Sequence, residues 1–129
     1  MADAGSGHIV VVDDEQEMRD YLAEVLTLHG YRCLMFPNGN AALSHLAAYG
    51  SAAALILSDI NMPGMSGRVL ADTLSPLRPG MKVLYMSGYS DGAVAKQGIL
   101  EDGISILRKP FTKDELTRRV EEILFGVPQ

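Results

Sequence analysis

Four apolar stretches of this chain lead into residues with the chemistry to bind or accept a phosphoryl group. Asp13 and Asp14 follow Ile9-Val12, Asp59 follows Leu55-Leu57, Ser87 follows Val83-Met86, and Lys109 follows Ile104-Leu107. Carboxylates are hard oxygen donors of the kind Mg2+ takes, one or two at a time, together with waters and phosphate oxygens. A carboxylate is also a nucleophile, while a hydroxyl and an ammonium stabilise charge that moves onto phosphoryl oxygens. Each residue alone has an ordinary explanation. Asp14 with Glu17 matches a helix-capping pattern, Asp59 and Ser87 suit turns, and lysine is most often a surface residue. Taken together they are harder to dismiss. Three acids in one place repel unless a cation sits among them. Lys109, set between Ile106-Leu107 and Pro110-Phe111, is an ammonium in apolar company that needs an anionic partner.

The elements between these residues decide whether they meet. Apolar runs of four or five residues alternate with segments of helical period, the pattern of a parallel sheet covered on both faces. The strands are expected at Ile9-Val12, Tyr31-Phe36, Ala54-Leu57, Lys82-Met86 and Ile104-Leu107. Met18, Leu22, Val25 and Leu26 share one helix face, closed by His29-Gly30. An alanine-rich helix runs from Ala41 to Tyr49, and a third helix, N-capped by Ser66, runs to about Ser75. A fourth is expected near Gly92 to Glu101, weakened by Gly98. Thr112-Lys113-Asp114-Glu115 then matches a capping box for a fifth, with Leu116, Val120, Ile123 and Leu124 on its apolar face. Right-handed crossovers make a single flavodoxin-like, doubly wound α/β domain the natural architecture: a five-stranded parallel sheet of order 2-1-3-4-5 with five helices. The carboxyl ends of its strands, and so all four chemical stretches, converge on one crevice.

Composition narrows the functional classes. With 129 residues, 47% hydrophobic and 21% charged, the chain suffices for one domain with one core. Residues 1–7 read as a flexible tail, 8–125 as the domain and 126–129 as a short C-terminal tail. A net charge of −5 with scattered basic residues argues against direct nucleic-acid binding. The lone Cys33 is expected as a small buried hydrophobe in a reducing compartment. No stretch approaches the roughly 18 to 20 apolar residues of a membrane span, so neither a membrane nor secretion is expected, and the location reads as cytoplasmic. His8, His29 and His45 lack the spacing of a zinc site. No G-x-G-x-x-G follows the first strand, which argues against dinucleotide binding.

The set Asp13-Asp14, Asp59-x-Asn61-Met62-Pro63-Gly64-Met65-x-Gly67, Met86-Ser87-Gly88 and Lys109-Pro110-Phe111 resembles the receiver domain of two-component response regulators. The resemblance covers about residues 8–125, and Leu84-Tyr85-Met86-Ser87-Gly88-Tyr89 is similar to receivers attached to hybrid histidine kinases. It implies that Asp59 accepts a phosphoryl group from a phosphohistidine on a histidine kinase or histidine phosphotransferase. It implies further that Asp14, Asp59 and the Asn61 carbonyl hold Mg2+, with Asp13 acting directly or through water, and that Ser87 and Lys109 bind the phosphoryl oxygens. The product would be lost only by slow autodephosphorylation, making the domain a signalling module rather than an enzyme, with phosphorylation-dependent homodimerisation as one form of output. One position departs from the family pattern. Where many receivers carry Tyr or Phe three residues before the lysine, this chain has Ile106. A receiver-like interaction module that is never phosphorylated would not need Asp13, Asp14, Asp59, Ser87 and Lys109 together. A phosphatase of the aspartate-nucleophile kind would want a general acid where Asn61 stands.

Overall fold

Strands made of Ile, Val and Leu without polar alternation need apolar cover on both faces. In a computed structural model, which describes residues 8–49, 53–60, 64–76, 80–88 and 105–126, they receive it. The strands are β1 (His8–Val12), β2 (Cys33–Phe36), β3 (Ala53–Asp59), β4 (Lys82–Ser87) and β5 (Ile106–Arg108). The helices are α1 (Gln16–Leu28), α2 (Gly39–Tyr49), α3 (Gly67–Leu74) and α4 (Lys113–Phe125). All neighbouring strands pair in parallel in the order β2-β1-β3-β4-β5, as the sequence pattern implies. The helix expected near 92–101 lies outside the described residues.

Alternation along each strand sorts the core into two layers. Ile9, Val11, Leu55, Leu57, Leu84 and Met86 point to one face, where Leu22, Val25 and Leu26 of α1 and Leu116 and Val120 of α4 cover them. Val10, Val12 and Ile56 point to the other, under Ala42 and Leu46 of α2 and Leu70 and Leu74 of α3. Leucines 22, 26, 55, 57, 70, 74, 84 and 116 are fully buried. Each such side chain contributes about 2 kcal/mol by leaving water. Cys33 is half-buried and packs against the first layer, where burial pushes its thiol up to about 11. That is the behaviour of a packing residue rather than a reactive one.

Local signals set the helix ends. The Ser66 side chain accepts from Val69 N at the start of α3, and Thr112 and Glu115 form the expected capping box of α4. His29 closes α1, its ring Nδ1 lying 3.0 Å from the Val25 carbonyl, and Gly30 follows at φ 89°. Several boundaries differ from expectation: β2 starts at Cys33 rather than Tyr31, β3 runs on to Asp59 rather than ending at Leu57, and α2 starts at Gly39 rather than Ala41. The capping pattern read at Asp14 and Glu17 does not form: Glu15 is the N-cap of α1, and no side chain caps it. The turn before α1 is held instead by Asp13, whose Oδ1 accepts from Glu15 N at 2.9 Å. The last strand begins at Ile106 and extends to Arg108, because its partner β4 runs on to Ser87, which lies opposite Arg108.

Candidate phosphoacceptor site

Register brings the four stretches together at the carboxyl edge of the sheet. Val12 pairs with Ser58, Asp59 with Met86, and Ser87 with Arg108, so Asp13 and Lys109 are the first residues beyond their strands and Asp59 and Ser87 the last within theirs. Backbone bonds continue the ladder past the strand ends. Asp13 N donates to Phe36 O at 3.2 Å, Ile60 N to Met86 O at 2.9 Å and Lys109 N to Ser87 O at 2.7 Å. The site is therefore fixed by the sheet itself, not by free loops.

Lys109 is the centre of the charge arrangement. Its Nζ donates to Asp13 Oδ2 at 3.1 Å and to Asp59 Oδ2 at 3.2 Å. The Asp13 side chain is 0% exposed, that of Asp59 11% and that of Lys109 17%. Burial alone would lower the Lys109 pKa. The negative charges of Asp13 and Asp59, and the hydrogen bonds to them, outweigh burial and hold it above its ordinary value. The Lys109-Pro110 bond, whose isomer the sequence leaves open, is cis.

Asp14 completes an acidic cluster. Carboxylate oxygens of Asp13, Asp14 and Asp59 lie within 4.8 Å of one another, and Asp14 is the exposed member. Such an all-oxygen set with one open side suits a hard divalent cation that keeps several waters. Asn61, assigned to the same cation by the resemblance, lies outside the described residues. Ser87 contributes a buried hydroxyl. Its side chain is fully buried, and among the described residues nothing hydrogen bonds to its Oγ. An unpartnered buried hydroxyl costs about 1–3 kcal/mol, so such positions mark strain or a ligand that arrives later.

Two close contacts at the site escape the sequence reading. Arg19, one turn into α1, donates from Nη1 to the Asp13 carbonyl at 2.8 Å. Its signal in the sequence is only an arginine six residues after an aspartate, too common to single out. Gly67, the first residue of α3, packs so closely on β3 that a Cβ there would collide with the Asp59 carbonyl and stand 2.9 Å from Ser58 Oγ. Its signal was visible as a glycine directly after the capping Ser66, but pattern alone does not say what lies against it.

Fold and site together define a class: doubly wound α/β domains whose switch-point crevice carries an acidic, lysine-bridged centre. The chain belongs to the response regulator receiver domain family, whose model matches residues 9–121. It is 31% identical over 118 residues to the transcriptional regulatory protein FixJ of Bradyrhizobium diazoefficiens, across 92% of this chain and 57% of that protein. It is 29% identical over 118 residues to the response regulator receiver protein CpdR of Brucella abortus, across 92% of this chain and 97% of that protein. Among solved structures, the receiver domain of NtrX from Brucella abortus superposes with a TM-score of 0.79 at 28% identity, across 92% of this chain and 99% of that one. The chain spans about half the length of FixJ and a quarter of several other curated relatives, all of them transcriptional regulators. It is thus a phosphoacceptor signalling domain of the two-component kind.

Proposed function

We propose that Asp59 is the phosphoacceptor and that it takes its phosphoryl group from a phosphohistidine on a histidine kinase or histidine phosphotransferase. The observation that carries this reading is the Asp59 carboxylate bridged to Asp13 through Lys109 Nζ, on the same strand edge as the unpartnered Ser87 Oγ. A carboxylate oxygen of Asp59 forms the new P–O bond while the P–N bond of the donor breaks. The imidazole nitrogen keeps the bonding pair and is protonated from solvent. Asp13, Asp14 and Asp59, with the Asn61 carbonyl, are the residues that would hold Mg2+. When bound, the cation offsets the negative charge of the phosphoryl oxygens beside the acidic cluster.

The protein's own groups do the rest. Lys109 holds Asp59 before transfer and then follows the charge to a phosphoryl oxygen, and Ser87 Oγ gains the acceptor it lacks. Asp13, with one oxygen on Glu15 N and the other on Lys109, keeps the ammonium in place throughout. Asn61 stands where an aspartate-nucleophile phosphatase carries its acid–base carboxylate, and an amide cannot take the proton of an attacking water, so the acyl phosphate is lost only slowly. We place the domain at residues 8–125, in the cytoplasm with its kinase, and assign it no direct nucleic-acid contact. Its effect on a downstream protein is exerted by conformational signalling or by phosphorylation-dependent pairing of two copies. Incubation with acetyl phosphate and Mg2+ should add one phosphoryl group by intact mass. Asp59→Asn should abolish it, as should EDTA, and undiminished phosphorylation of that variant would overturn the assignment.

A further inference from the structure

The acid that completes the cation set, Asp14, makes no hydrogen bond of its own among the described residues and is exposed, yet its carboxylate stands with those of Asp13 and Asp59. Something other than its own contacts must hold it there. The backbone on either side of it supplies the answer. Behind Asp14, the Asp13 carbonyl is gripped by Arg19 Nη1 at 2.8 Å, and ahead of it Glu15 N is fixed to Asp13 Oδ1 at 2.9 Å. Asp14 is the single residue between these two anchors. Helix α1 offers no side-chain cap to stiffen the same turn.

The choice Arg19 makes is informative. Glu15 lies four residues before it, the helical spacing and polarity that favour an acid–arginine pair. Among the described residues Arg19 forms no ion pair, and its guanidinium reaches past the helix to a carbonyl. A planar guanidinium fixes the direction of its hydrogen bond as well as its length.

We propose that Arg19 is a positioning residue for the divalent-cation site, acting through the Asp13 carbonyl to hold the Asp14 carboxylate beside Asp59. The inference rests on the cation reading given above. Groups that orient a ligand without touching the metal typically change its affinity 10- to 100-fold when removed. Pure electrostatics makes the opposite forecast, because deleting a positive charge near a cation site should tighten binding.

The test is Mg2+ alone, titrated into the unphosphorylated full chain by calorimetry, for wild type, Arg19→Met and Arg19→Lys. Methionine keeps much of the apolar stem and removes the donor. Lysine keeps the charge on a point donor without the planar fork. Arg19→Met should weaken Mg2+ binding about tenfold, and Arg19→Lys should fall between it and wild type. The weakening should stand apart from any shift in the metal-free melting temperature, which a merely structural role would move alone. A folded variant of either kind that holds Mg2+ as tightly as wild type, or more tightly, overturns the proposal. Wild-type protein that takes up no Mg2+ overturns the cation reading itself, a result distinguishable because it appears before any variant is compared.

Discussion

At the scale of single residues, the energetics turn on Lys109. It is the cation shared by one fully buried carboxylate and one nearly so, and removing one partner of such a pair strands the other charges. Lys109→Met, close to it in length and without charge, should therefore cost about 2–3 kcal/mol in denaturant unfolding at pH 7 without Mg2+. The sign of the pH dependence follows from the raised pKa. A lysine held above its ordinary 10.5 contributes its stabilisation in full below that value and loses it as pH climbs through the folded pKa. The stability gap between wild type and Lys109→Met should accordingly stay flat from about pH 7 to about 10 and close above 10.5. A gap that closes near neutrality would mean that another group supplies it. The same variant should also separate phosphorylation from response. Asp59 remains to be phosphorylated, but the ammonium that links its charge to β5 is gone.

At the scale of elements, the site depends on how helix starts meet strand ends. Gly67 opens α3 against the Asp59 backbone with no room for a methyl group. Gly67→Ala must push α3 outward or β3 aside, and overpacking of this kind costs about 1–3 kcal/mol. Because the atom it strikes belongs to Asp59, phosphorylation by acetyl phosphate should slow along with the loss of stability. The capping box of α4 provides the control. Thr112→Ala removes the acceptor for Glu115 N and should cost about 1 kcal/mol in denaturant midpoint while leaving the phosphorylation rate near wild type. These two cases show what the sequence discloses and what it withholds. Thr112 with Glu115, Ser66 before α3, and the apolar stripe of Leu22, Val25 and Leu26 are local patterns with local causes, so they are legible in a string of letters. The strand order and the grouping of Asp13, Asp14, Asp59 and Lys109 were legible too, because parallel βα alternation leaves few ways to wind the sheet. The reach of Arg19 to the Asp13 carbonyl, the collision waiting at Gly67 and the transfer of the capping role from Asp14 to Glu15 were not. Each depends on a through-space distance from a side chain to a backbone atom, which no residue pattern encodes.

At the scale of the whole molecule, a buried sheet delivers negative charge to one edge of an already acidic protein. The net charge is −5, and carboxylate oxygens of three acids lie within 4.8 Å of one another at the strand ends. Lys109 bridges Asp13 and Asp59, which leaves Asp14 as the acid whose charge no ion pair among the described residues offsets. The two halves of the molecule's function therefore oppose each other. Under the cation reading proposed above, Asp14 destabilises the metal-free domain by repulsion, and the same charge draws a divalent cation to the edge. Asp14→Asn separates the two effects. The amide keeps the side chain's size, so the variant should melt a few degrees above wild type in EDTA, since relief of like-charge repulsion is a gain without a lost contact. In millimolar Mg2+ the order should reverse or close, because wild type gains the stabilisation that comes from binding the folded state alone while the variant gains little. NaCl at matched ionic strength tests the specificity of the effect. Screening weakens repulsion for wild type but cannot reproduce a saturable increment. Thermal melts of the two proteins in EDTA, NaCl and MgCl2 decide the matter. A variant that melts below wild type in EDTA would show that Asp14 is held by a stabilising contact of its own, and the edge would then be a structural ion cluster rather than a site kept under strain for a cation.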